Sequence, residues 1–247
     1  KFRSRLFIYG SLIWNKGEMN YFKHIKDCLR RVKDGYSKLS DKALSLEGMI
    51  QKEARNTLNT IVDFPECRYM HIGTWKGASL YSALEGNDPD YVFACDDFSQ
   101  FTHDRHGQEI LNKYIMLSQI LPEKDSFQID FYDGDCFFMN LDNVKKPINV
   151  YYYDAGHSVV DHFLALNYFY PALDEEFIYI CDDWNEEKVK EGTKKAIDYC
   201  GLICRGFQLD WNLFVGHMQK NKDHKNKLQT QHNKVAETYT LSKEGFK

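Results

Sequence analysis

No run of apolar residues in the 247-residue chain approaches the roughly twenty needed to cross a bilayer, so no membrane-spanning helix is expected. The segment Lys1 to Trp14 lacks the small-residue cleavage site of a secretory signal. There is no basic excess either. Against 36 Asp and Glu stand 32 Lys and Arg, a formal charge of -4, which leaves little with which to neutralise a phosphate backbone and argues against nucleic acid as a partner. Small or neutral substrates fit better. The cysteines number 7, an odd count, and Cys95, Cys136 and Cys181 fall in or beside apolar runs, where thiols pack as small hydrophobes. Cys200 and Cys204 have no second Cys/His pair nearby, so no zinc site is expected. Together these absences predict a soluble, cytoplasmic protein in a reducing compartment. The first residue is Lys rather than Met, which suggests part of a longer, multidomain chain.

What is present is enough apolar and aromatic material, 43% and 15% of residues, for one large core with a small appendage. Residues 1–62 read as an N-terminal helical cap or lid. Ile25, Cys28, Leu29 and Val32 recur at helical spacing, as do Leu44, Leu46, Met49 and Ile50. Residues 63–218 change pattern, to short apolar runs that end in Gly or Asp and are followed by amphipathic segments. The runs are Cys67–Ile72, Tyr91–Cys95, Phe127–Tyr132, Ile148–Tyr153 and Phe177–Cys181. Strands alternating with helices predict a mostly parallel α/β sheet with helices on both faces. Leu202–Leu209 and Trp211–Met218, close together around Asp210, predict a terminal antiparallel pair. Residues 219–247 open on a segment rich in Lys, Asn, Gln and His, which reads as a loop or solvated tail.

In such sheets ligands bind beyond the carboxyl ends of the strands, near the point where strand order reverses. The first strand runs into Gly73-Thr74-Trp75-Lys76-Gly77-Ala78-Ser79, a glycine turn that lets backbone approach a ligand or simply joins strand to helix. The second ends Asp96-Asp97, roughly twenty residues after that turn, where a carboxylate can grip a ribose diol. The third leads to Asp133-Gly134-Asp135, either a polar edge for a base or a helix cap. The fourth and fifth end in Asp154-Ala155-Gly156-His157 and Asp182-Asp183-Trp184. Adjacent carboxylates repel unless a cation or donors lie between them, and hard oxygen donors favour Mg²⁺, Mn²⁺ or Ca²⁺ over zinc. His157 can face the same cleft and take a proton near neutral pH, whereas His103, His106, His162 and His217 show no obvious partner.

Taken together, the order and spacing of these signs over residues 66 to 218 resemble the class I, Rossmann-like S-adenosylmethionine-dependent methyltransferases. Within them the chain looks similar to the metal-dependent sugar O-methyltransferases of the macrocin and mycinamicin type and to the rhamnosyl O-methyltransferases. The resemblance rests on the glycine turn, Asp96, Gly134-Asp135, Asp154-Ala155-Gly156-His157-Ser158, and Asp182-Asp183-Trp184 followed by Gly192-Thr193. It implies a seven-stranded sheet and places the cofactor S-adenosyl-L-methionine on Gly73, Thr74, Gly77 and Ser79 for its methionine end, Asp96 for its ribose, and Gly134 and Asp135 for its adenine. It implies a divalent metal, Mg²⁺ or Mn²⁺, on Asp154, Asp182 and Asp183, with His157 as general base. His71 departs from the pattern, since relatives carry Glu or Asp there and a histidine cannot repeat that charge.

The activity so implied is methyl transfer to a hydroxyl of a small-molecule or glycan acceptor, the metal orienting and acidifying the hydroxyl while His157 removes its proton. The N-terminal helices and Asp97 to Tyr114 are the expected acceptor lid. A catechol-type acceptor keeps the same chemistry. A non-catalytic module that retains the fold is the rival from another class, and a nicotinamide enzyme ranks last, because the turn lacks the closer Gly-x-Gly spacing. Oligomeric state, a homo-oligomer included, is not written in these residues.

Overall fold

The computed structural model describes residues 19–99, 112–113, 115–116, 129–221 and 223–224. Seven strands form one sheet: β1 (Arg68–Ile72), β2 (Tyr91–Asp96), β3 (Ile129–Asp133), β4 (Ile148–Tyr153), β5 (Leu173–Cys181), β6 (Leu202–Asp210) and β7 (Leu213–Lys220). Their order is β3-β2-β1-β4-β5-β7-β6. The first five run parallel, and β7 lies antiparallel between β5 and β6. Strand order reverses between β1 and β4, so their carboxyl ends open the crevice in which the expected ligand residues lie.

The alternation along each strand sorts the core. Tyr69, Val92, Val150, Tyr152, Ile178 and Val215 face α1 (Tyr21–Lys33), α3 (Lys52–Val62) and α4 (Ala78–Leu84). Met70, Phe93, Tyr151, Tyr179 and Phe214 face the side where α5 (Val159–Asn167) and α6 (Glu187–Cys200) pack. Leu58 and Ile61 of α3 are fully buried against the first face, worth roughly 2 kcal/mol each in area removed from water. The helices between residues 21 and 62 thus share the sheet's own core. Gly192 lets α6 cross α5 closely, since a Cβ there would stand 2.4 Å from the Val159 carbonyl.

Three details depart from the sequence expectations. Helical spacing from Leu44 to Ile50 does not yield one helix: α2 (Asp41–Ser45) stops at Leu46, whose ψ of 138° is extended, and a loop carries the chain to α3. The loop lies close to α4, where only a glycine fits at position 48, since a Cβ there would meet the Ala78 Cβ at 2.5 Å. Second, β5 starts at Leu173 rather than Phe177, its register against β4 shifting between Ile148 and Val150. The polar residues of Leu173–Glu176 hid this start, and one of them, Glu176, accepts from His217 Nε2 at 3.0 Å, which gives that histidine a partner. Third, Trp211 and Asn212 form the turn of the β6–β7 hairpin, with φ of 50° and 67°, and β7 extends through Gln219 and Lys220. Most of the expected lid segment from Asp97 to Tyr114, His103 and His106 included, and most of the polar stretch after Lys220 lie outside the described residues. Among those described, the cysteines are all free thiols, and no helix is long and apolar enough to cross a membrane.

Candidate active site

A cavity of about 380 Å³ opens at the carboxyl ends of the strands. It is lined by Gly73, Thr74 and Ser79 from the glycine turn, Asp96 from β2, Gly134 and Asp135 after β3, Asp154 and His157 after β4, and Asp182 and Asp183 after β5. Gly77 is not in its wall. That glycine caps α4 in a left-handed conformation, φ 89°, and its N–H donates to the Thr74 carbonyl at 2.7 Å, which folds the turn. Sequence reasoning missed Gly48, Met49 and Ile50, which bring the α2–α3 loop to the cavity. Their signal was overwritten by their helical spacing.

Gly73 is packed against the end of β4: at φ 88°, a Cβ would fall 1.7 Å from the Asp154 carbonyl oxygen. The next residues are held by Asp96. Its Oδ2 accepts the Trp75 N–H and its Oδ1 the Phe98 N–H, each at 2.6 Å. Trp75 and Phe98 have φ of 41° and 57°, so one carboxylate stabilises two left-handed residues that would otherwise cost about 1 kcal/mol or more each. Burial pushes the Asp96 carboxyl upward, against the pull of those bonds. The Thr74 hydroxyl also donates to Oδ2, at 3.5 Å, and the neighbouring Asp97, which is exposed, lines the cavity as well. Asp135 caps the turn after β3 by accepting the Phe137 N–H at 2.9 Å, so both of its sequence readings remain compatible with its place in the wall.

His71 is fully buried behind the turn. Its Nδ1 lies 2.9 Å from the Tyr69 hydroxyl and its Nε2 3.1 Å from Ser79 Oγ. Burial drives its pKa down to about 3, so the ring is neutral. The ring itself brings no charge to the place of the expected acid and instead fixes Ser79, a wall residue.

Beyond the end of β4 a capping box starts α5. Ser158 Oγ accepts the Asp161 N–H at 3.1 Å while Asp161 Oδ2 accepts the Ser158 N–H at 2.9 Å, which sets the direction of His157 just before it. His157 Nε2 is 3.2 Å from Asp183 Oδ2. Asp154, His157 and Asp183 each bring one ligand atom to within 4.8 Å of the others. Asp182 turns aside: its Oδ1 accepts the Asp183 N–H at 2.8 Å, and its Oδ2 lies 3.0 Å from the Tyr152 hydroxyl, which is also 2.9 Å from Asp154 Oδ2. One phenolic proton serves two carboxylates there. Burial, then the Asp182 charge, raises the Asp154 pKa, and burial raises that of Asp182. The hard oxygen donors of Asp154 and Asp183, with the Asp182 carboxylate beside them, fit a divalent cation of the Mg²⁺ or Mn²⁺ kind.

By sequence, no family model matches the chain, and no curated protein is detectably similar to it. By structure it is similar to SAH-bound Podospora anserina methyltransferase PaMTH1, at 11% identity and a TM-score of 0.55 over 87% of this chain and 100% of that one. It is similar as well to the O-methyltransferase TomG of Streptomyces achromogenes, solved with SAM, at 10% identity and a TM-score of 0.53 over 83% and 100% of the two chains. The Bacillus cereus O-methyltransferase, solved with SAH, aligns over 78% of this chain and 91% of its own at 13% identity and a TM-score of 0.50. The chain therefore has the Rossmann-like fold of the class I S-adenosylmethionine-dependent methyltransferases, with the seven-stranded, mostly parallel sheet that its sequence led one to expect.

Proposed function

We propose that this chain is an S-adenosylmethionine-dependent O-methyltransferase that methylates a hydroxyl of a sugar, in a glycan or glycoside such as a rhamnoside, with help from a divalent metal. The observation that carries the reading is the convergence of Asp154, His157 and Asp183 in the cavity that the glycine turn also lines. SAM and SAH in the structurally similar proteins support the choice of cofactor.

The cofactor's methionine end would lie against Gly73, Thr74 and Ser79, its ribose by Asp96 and its adenine by Gly134 and Asp135. Asp154 and Asp183 would hold the ion, with Asp182 steadying both through Tyr152 and the Asp183 amide. When bound, such an ion supplies Lewis-acid chemistry that orients one or two hydroxyls and makes them more acidic. A sulfonium methyl is already activated, so the chain's own work is to align the acceptor oxygen in line with it and to accept one proton. His157, half-exposed at the rim with Nε2 turned to the Asp183 carboxylate, keeps Nδ1 as the nitrogen that takes that proton as general base.

The test is transfer from labelled cofactor to a panel of glycosides and catechols, with EDTA and with Mg²⁺ or Mn²⁺ restored. Loss in chelator and recovery with metal is expected, and full activity in EDTA would remove the metal. His157→Ala should lower turnover by about 10²–10⁴-fold while S-adenosylhomocysteine binds as before. A catechol-type acceptor is the second reading, favoured by Met49 and Phe137 on the cavity wall, where a flat ring would rest. Absence of S-adenosylhomocysteine binding by calorimetry would instead favour a non-catalytic module.

A further inference from the structure

Asp183 stands in the left-handed region, φ 51°, a conformation that must be held by its surroundings. What holds it comes from a distant hairpin. Asn212, itself at φ 67°, donates from Nδ2 to Asp183 Oδ1 at 3.0 Å. Its side-chain Oδ1 accepts the Asn185 N–H at 2.9 Å, and its backbone carbonyl accepts the Trp184 N–H at 2.9 Å. The amide has only one satisfactory orientation, because a carboxylate only accepts and a backbone N–H only donates. With Oδ1 so engaged, Oδ2 is the oxygen that faces His157. We infer that Asn212 is a positioning residue: the β6–β7 hairpin reaches across to residues 183–185 and aims one Asp183 oxygen into the rim cluster, a role that rests on the metal-assisted reading above.

The telling variant is Asn212→Gly, since glycine adopts φ 67° freely and the substitution removes only the side-chain bonds. Mn²⁺ binding to the full chain is followed by loss of the free-ion electron paramagnetic resonance signal, with S-adenosylhomocysteine affinity measured alongside. Removal of a group that orients a metal ligand typically weakens affinity about 10–100-fold. That loss is expected here, with S-adenosylhomocysteine affinity unchanged and turnover recovered at high Mn²⁺. Equal Mn²⁺ affinity in wild type and Asn212→Gly would overturn the role of Asn212 and leave the metal reading standing. Loss of both ligands would overturn it too, by showing that Asn212 serves the fold at large. Wild-type chain that binds no Mn²⁺ would remove the metal reading, and this role with it.

Discussion

His71 Nε2 lies 3.1 Å from Ser79 Oγ, so a neutral ring buried under the glycine turn fixes a hydroxyl in the cavity wall. Its protonation is linked to folding. The folded pKa, about 3, is below the ordinary 6.5, so below pH 6.5 the unfolded chain binds more protons and stability falls with pH toward 3. The expected loss from this ring is roughly 2 kcal/mol between pH 7 and pH 5. His162, lowered to about 4 by burial and then by His157, acts in the same direction. Unfolding free energies from denaturant titrations at the two pH values should therefore differ less in His71→Asn, by about 2 kcal/mol. An unchanged difference would show that His71 does not titrate as its burial requires.

Gly73 and Gly86 share a positive φ, 88° and 68°, but not their surroundings. A Cβ on Gly86 meets nothing within 4 Å, whereas one on Gly73 strikes the Asp154 carbonyl. Gly86→Ala should cost only the left-handed penalty, about 1–2 kcal/mol. Gly73→Ala adds displacement of the β4 end, a further 1–3 kcal/mol or so, and should abolish S-adenosylhomocysteine binding. Equal stabilities by chemical denaturation would mean that β1 and β4 do not meet as described.

These contrasts mark what the sequence could reveal. A parallel sheet delivers every strand's carboxyl end to one rim, so Asp96, Asp154 and Asp182-Asp183 were legible as neighbours once the apolar runs were recognised. Asn212 was not legible, because a turn asparagine is explained locally by its left-handed φ, and only the fold brings it to Asp183. The loop at Gly48 was misread for a related reason. Apolar residues at helical spacing can serve a cavity wall instead of a helix face, and the deciding contact with Ala78 lies 30 residues away in sequence.

Asp96 and Asp97 are adjacent acids with different predicted sensitivities. Asp96→Asn would set an amide N–H₂ against the Trp75 or Phe98 N–H, at about 1–3 kcal/mol. Asp97 is exposed and, among the described residues, accepts the Ser99 N–H at 2.9 Å, so Asp97→Asn should change stability by no more than about 0.5 kcal/mol. Thermal unfolding of the two variants distinguishes them. A reversed order would mean that Asp97, not Asp96, organises the turn.

Arg55 argues for a separate control over the acceptor side. Nearly fully buried, it donates from Nε to the Ile50 carbonyl at 3.2 Å, from Nη1 to that of Ala43 at 2.9 Å and from Nη2 to that of Leu46 at 3.1 Å. These bonds bracket Gly48 and Met49 and clamp the loop that forms one cavity wall. A second tie, between Lys76 and Glu47, fastens the same loop to the glycine turn. Lysine cannot reproduce the planar fork, so Arg55→Lys leaves some of the carbonyls unpaired, at about 1–3 kcal/mol. The catalytic groups are untouched. The expected kinetic signature is therefore a raised acceptor KM, with kcat changed much less. Thermal unfolding supplies the stability arm and steady-state kinetics the other; a fall in kcat at constant KM would place the loop with the reacting groups rather than with acceptor binding.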